Sequence, residues 1–129
     1  MLDLKALLTK ILETLNKFNV TTPSINVTAS TGSVISVNAR KFGNVVHLYL
    51  LFRNASSIAS GSNVFVGTLT TTNLRPLLDV TSGTYYGNHA LNGGLYSNGG
   101  ITIRNASNTA VQIASPNTAS ISFTYIVGG

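Results

Sequence analysis

The hydrophobic period of this chain changes once, from about 3.5 residues to 2, and the change divides it. Leu4, Leu8, Ile11, Leu15 and Phe18 are spaced four, three, four and three apart, which is the alternation of a heptad seam on a helix. Further on, Val46, Leu48, Leu50 and Phe52 are wholly apolar, while the interleaved Val45, His47, Tyr49, Leu51 and Arg53 are mixed. A strand with one face in a core reads this way. The expected fold class is therefore mainly β: an antiparallel β-sandwich or jelly-roll head preceded by a short N-terminal helix.

Asp3 is placed to cap the helix, and Thr21-Thr22-Pro23 stops it, because proline drives the preceding residue out of the helical region. In heptad register Leu8 and Leu15 are a positions, and Leu4, Ile11 and Phe18 are d positions. Leu at a with Ile at d leans away from dimers, and Leu7 and Leu12 widen the stripe. The pattern leans toward a coiled coil of three or four strands, a trimeric coiled coil being the expectation for the fold class, although helices this short are marginal without support elsewhere. The alternative is that the stripe packs on the chain's own sheet. The N-terminal position, the polar connector "NVTTPS" and the β-rich remainder favour a stalk and a head. The expected division is a trimerisation or anchoring helix over 1–19, a connector with the first strand over 20–32, and a β-sandwich head over 33–129. His47 and Tyr49, on the mixed face, join Leu4, Leu8, Ile11, Leu15 and Phe18 as expected trimer contacts.

Other strands are expected at Ile25 to Ala29, Ser33 to Asn38, Asn63 to Leu69, Ile101 to Arg104, Ala110 to Ala114 and Ala119 to Val127. The turn signals "FGN", "SGSN", "SNGG" and "SPN" separate several of them. Thr70 to Gly94 is the least regular stretch, and its Gly, Asn and Tyr content predicts exposed loops.

Composition excludes more than it suggests. The 129 residues suffice for one domain, and with no cysteine there is neither a disulfide framework nor a thiolate metal site. The opening residues lack the pattern of a signal peptide, and no apolar run is long enough for a membrane span, so no membrane insertion is expected. Four Asn-x-Ser/Thr triplets, at Asn19, Asn26, Asn54 and Asn105, read as a by-product of abundant Asn, Ser and Thr. Net charge is +5, yet the basic residues are scattered, with only Arg40 and Lys41 adjacent, so nucleic acid is not an expected partner. Beyond the helix the single acidic side chain is Asp79, which rules against paired-carboxylate chemistry. Two histidines, His47 and His89, are too few for a metal site in one chain. There is no G-x-S-x-G elbow, and the glycines of "NGGLYSNGG" lack the Lys-Ser/Thr ending of a phosphate loop. No catalytic residue, metal or cofactor is expected.

Recognition remains. Tyr85, Tyr86, Asn88, His89, Asn92, Tyr96 and Asn98 form a polar and aromatic set suited to a neutral saccharide. Tyrosine rings lie against the apolar face of a sugar, while hydroxyls and amides bond its OH groups. Against this, the same residues are good loop formers.

The segment "VNARKFGNVVHLYLLFRNASSIASGSNVFVGTLTTTNLRP", the later "GGITIRNASNTA" and the closing "ASISFTYIV" resemble the head domains of small tail-fibre and receptor-binding proteins of bacteriophages and prophages. The resemblance rests on Arg40, Gly43 to Val46, Val66 to Leu69, Arg75-Pro76, Gly100 to Ile103 and Ser120 to Tyr125, and spans about residues 33 to 127. It implies a homotrimer on a virion, contacting other virion proteins at a baseplate or capsid and often host-surface glycans. The chain is short for a tail fibre, so a capsid head fibre or decoration protein is the alternative. A non-phage lectin-like domain would share the sheet but not the assembly.

Overall fold

A computed structural model describes residues 3–17 and 20–128; the side chains of 14–17 and of Val34 are outside that description, as is Phe18 altogether. The helix α1 (Leu4–Lys17) begins as expected, with the Asp3 Oδ1 accepting from the backbone N–H groups of Lys5 and Ala6 at 3.0 and 3.2 Å. It ends earlier than the proline signal indicated. By Val20 the chain already pairs as a strand, β1 (Val20–Thr21), so sheet pairing takes over before Pro23 is reached.

The remaining strands are β2 (Val27–Ala29), β3 (Ser33–Phe42), β4 (Val45–Ile58), β5 (Asn63–Leu69), β6 (Val80–Tyr86), β7 (His89–Leu95), β8 (Gly100–Asn105), β9 (Val111–Ile113) and β10 (Ala119–Ile126). One sheet runs β1-β3-β4-β10, with β9 also paired to β4; the other runs β2-β5-β8-β7-β6, and all pairs are antiparallel. In the second sheet β6, β7 and β8 follow one another by hairpins while β5 lies beside β8, a Greek-key arrangement.

The two sheets face each other over one core. Val46, Leu48, Leu50 and Phe52 of β4 are fully buried, as the alternation required, with Ile121, Phe123 and Tyr125 of β10 beside them. From the other sheet come Val66, Leu91, Leu95, Ile101 and Ile103. Asn54 and Asn105, the centres of two of the Asn-x-Ser/Thr triplets, are buried, so neither is an accessible acceptor in the folded chain.

The expected loop between Thr70 and Gly94 is in large part the β6–β7 hairpin. Glycine and asparagine hid it, since both are poor strand formers on average. The fold nevertheless requires them here. Gly93 points into the core, where a Cβ would collide with Ile121 and lie 2.9 Å from the Phe123 ring.

Tyr125 shows how the core handles a polar group. Its hydroxyl donates to the Leu74 carbonyl at 2.7 Å, and burial pushes its ionisation well above the ordinary phenol range. A value raised on folding stabilises the protein fully below the unfolded value of about 10 and loses that contribution as pH climbs towards the folded one. Melting temperature is thus expected to fall above about pH 10. Tyr125→Phe should flatten that decline while lowering the melting temperature at pH 7, because the Leu74 carbonyl then loses its donor.

Candidate functional site

The stripe of α1 is in solvent in the single chain: Leu4 is 67% exposed, Leu8 60% and Ile11 45%. The described part of the stripe is thus not buried on the chain's own sheets. Leu15 and Phe18, the other expected seam residues, fall outside the described side chains. His47 and Tyr49 are exposed on the outer face of the first sheet, with His47 Nδ1 2.9 Å from the Thr124 hydroxyl.

The outer face of the second sheet carries a hollow. Alternation turns Leu91, Gly93 and Leu95 of β7 inward, so Asn92, Gly94 and Tyr96 face out. Strand register then lines up two rows. Gly83, Asn92, Arg104 and Asn63 are successive cross-strand partners in one, and Thr81, Gly94, Thr102 and Phe65 in the next. Because Gly83 and Gly94 bring no side chain, the middle of the face sinks, leaving an open hollow of about 420 Å³.

Tyr96 walls one end. A Cβ at Gly94 would lie 3.3 Å from the Tyr96 hydroxyl, and one at Gly100 3.6 Å from its ring, so the ring lies over backbone that glycine leaves bare. The Thr102 hydroxyl donates to the Tyr96 oxygen at 3.3 Å. The turn behind it is firmly held. Tyr96 N–H donates to the Gly100 carbonyl at 2.9 Å, Gly99 N–H donates to the Tyr96 carbonyl at 2.8 Å, Asn98 Oδ1 accepts from Gly100 N–H at 2.9 Å, and Asp79 Oδ1 accepts from Ser97 N–H at 2.8 Å. Gly99, at φ +90°, needs the freedom of glycine, and Arg75 Nε donates to the Leu69 carbonyl beside it. Asp79 and Arg75 are thus tied into loop structure.

By contrast, the side chains of Asn63, Asn92 and Arg104 make no hydrogen bond to other described residues. Their amides and guanidinium, with the Thr81 and Thr102 hydroxyls, offer donors and acceptors to anything that enters.

The residues expected to bind a sugar are divided between two places. Tyr85, 75% exposed, stands on the same outer face, one row beyond Gly83–Asn92. Tyr86 turns inward and packs on the core. Asn88 sits in the hairpin turn with Gly87, and His89 Nδ1 is 3.0 Å from the Ser107 hydroxyl. From His89 to Tyr96 is seven residues of β7 and its end, about 23 Å at strand rise. Tyr96 lines the hollow, whereas Asn98 is spent on its turn. Sequence reasoning missed Asn63, Thr81, Gly83, Gly94, Thr102 and Arg104. The signal was present in the period-two runs Thr81-Gly83-Tyr85 and Asn92-Gly94-Tyr96.

Among the described residues no group of three or more His, Cys, Asp or Glu comes together, and no helix is long and apolar enough to cross a membrane. No protein-family model matches the chain, and no curated protein sequence does. Among solved structures, the head domain of the lactococcal phage bIL170, described with the receptor-binding domains of lactococcal phages, is similar. It is 19% identical, superposes with a TM-score of 0.56, and matches over 85% of this chain and 100% of its own. What the two share at that identity is the fold: this chain has the fold of a phage receptor-binding head domain.

Proposed function

We propose that this chain is a non-enzymatic virion protein, a small homotrimeric fibre whose head binds host-surface carbohydrate through the outer face of the second sheet. The observation that carries the reading is the glycine-floored hollow, walled by Tyr96 and lined by unengaged amides and a guanidinium, on a fold shared with a phage receptor-binding head. A sugar ring fits such a place: its apolar face lies on tyrosine, and its hydroxyls reach Asn63, Asn92 and Arg104. The helices, with Leu4, Leu8, Ile11, Leu15 and Phe18 at the centre, hold three copies together. Three shallow sites on one particle then gain avidity by effective concentration.

Glycan-array binding tests the reading, with uniformly blank arrays counting against it. Gly83→Val puts a branched side chain on the floor and should remove binding while leaving melting temperature nearly unchanged, since a Cβ there meets nothing closer than Asn92 Oδ1 at 3.6 Å. Tyr96→Ala should weaken binding roughly tenfold, the loss of one ring contact of about 1.4 kcal/mol. Unchanged binding by both variants would move the site elsewhere. A second reading rests on the exposed helix stripe, which also suits a decoration or head-fibre protein anchored to a capsid or baseplate without a glycan site. Blank arrays together with helix-dependent capture by virions would favour it.

A further inference from the structure

The outer face of the second sheet holds one large apolar ring that the hollow does not use. Phe65 of β5 is 54% exposed, and register sets it opposite Thr102, which in turn lies opposite Gly94. The pairing of β5 is irregular here. Phe65 pairs with Thr102 and Gly67 with Ile101, so an extra residue, Val66, is taken up between them. Val66 is buried and Gly67 faces Ile35 in the core, which leaves Phe65 and Thr68 on the same outer face although they are three residues apart. Thr68 is the cross-strand partner of Gly100. A Cβ at Gly100 would lie 3.6 Å from the Tyr96 ring and 3.8 Å from the Phe65 ring, so the two rings close over this glycine, one from the β7 side and the other from the β5 side. The result is a two-ring platform beside the hollow, with Tyr96 belonging to both.

We propose that Phe65 and Tyr96 form a second sugar subsite, so that this face takes a chain of at least two linked sugars, the second of them neutral, laid across β7, β8 and β5 rather than a single terminal residue. The inference rests on the carbohydrate reading above and extends it past the hollow. Two observations select a saccharide chain as the occupant. From β7 to β5 is two strand spacings, about 10 Å, which is more than one sugar ring covers. The neighbours of the platform are also of the right kind. Thr28 and Thr68 are cross-strand partners in the row of Gly100, and their hydroxyls make no hydrogen bond to other described residues. A ring bordered by unengaged hydroxyls, with no charge among them, matches a molecule that has an apolar face and a rim of OH groups. A protein partner is met instead by a wider apolar patch than one exposed phenylalanine provides.

The test uses the full-length protein and matched mono-, di- and trisaccharides of the N-acetylglucosamine, glucose and galactose series, with a dissociation constant measured for each. In a series that binds, the disaccharide should bind about tenfold or more tightly than the monosaccharide, as one added ring contact allows. Phe65→Ala should remove that gain while leaving the monosaccharide within about twofold of the parent, and Phe65→Tyr should retain the gain. Tyr96→Ala, by contrast, should weaken both. Because Phe65 is exposed, its loss should leave the melting temperature nearly unchanged, and the mass of each variant is measured in parallel. Monosaccharide binding with no gain on lengthening, or a gain that survives Phe65→Ala, overturns the platform and leaves the hollow standing. A fall in oligomeric mass in Phe65→Ala shows that the ring meets another copy of the chain, and also overturns the platform. Binding to no member of any series removes the reading of the hollow and the platform with it.

Discussion

Ile11→Asp is expected, on the proposed trimer reading, to leave monomers whose sheet signature is unchanged. Ile11 is at a d position of the heptad and 45% exposed in the single chain, so on that reading its burial would come from sister helices. Three carboxylates brought into one apolar seam have no partner there, and an unpaired buried charge costs several kcal/mol by order of magnitude. A helix of 14 residues has little other association energy to offset that. Sedimentation or light scattering at micromolar concentration reads the result, with circular dichroism checking the head. An unchanged trimeric mass would take Ile11 out of the seam.

Asn105→Ala should produce a large loss of stability for a single polar substitution. This side chain is fully buried, and all four of its hydrogen-bonding valences are used. Nδ2 donates to the carbonyls of Ile58 and Thr109 at 2.9 and 2.8 Å, and Oδ1 accepts from the backbone N–H and the hydroxyl of Ser107 at 3.0 and 2.5 Å. One residue thereby joins the ends of β4 and β8 to the loop that leads into β9. Truncation leaves two carbonyls without donors in a dry place, for a cost of about 2 to 4 kcal/mol. In a domain of this size that lowers the melting temperature by about 10 °C. Asn105→Asp should fare no better, because a carboxylate cannot donate to either carbonyl. A melting temperature within a degree or two of the parent would show that the network relaxes around the gap.

Where side-chain chemistry followed the period, the fold was legible. β4 and β10 present four and three large apolar residues on alternate positions, and their inward faces are those the alternation assigned. β5 was readable to its ends. The β6–β7 hairpin was not, because its glycines are explained only by what lies opposite them: Ile121 and Phe123 across the core from Gly93, and Tyr96 over Gly94. Such reasons are tertiary and leave no local mark. The candidate site was lost with the hairpin. Tyr96 and Asn92 were identifiable by residue type, but Arg104 and Asn63 join them through strand register, which local periodicity does not fix. The exposed stripe of α1 was the most readable feature, since a heptad states its own geometry.

The rim of the hollow has a consequence for how such a protein changes over time. Asn63, Thr81, Asn92 and Arg104 stand on strands fixed by the core beneath them, yet are themselves exposed. Substitutions at positions of that kind usually shift stability by no more than about 0.5 kcal/mol. On the proposed reading, receptor preference can therefore drift residue by residue along this rim while the sandwich below stays as it is, which separates the part of the molecule under pressure to vary from the part that must not.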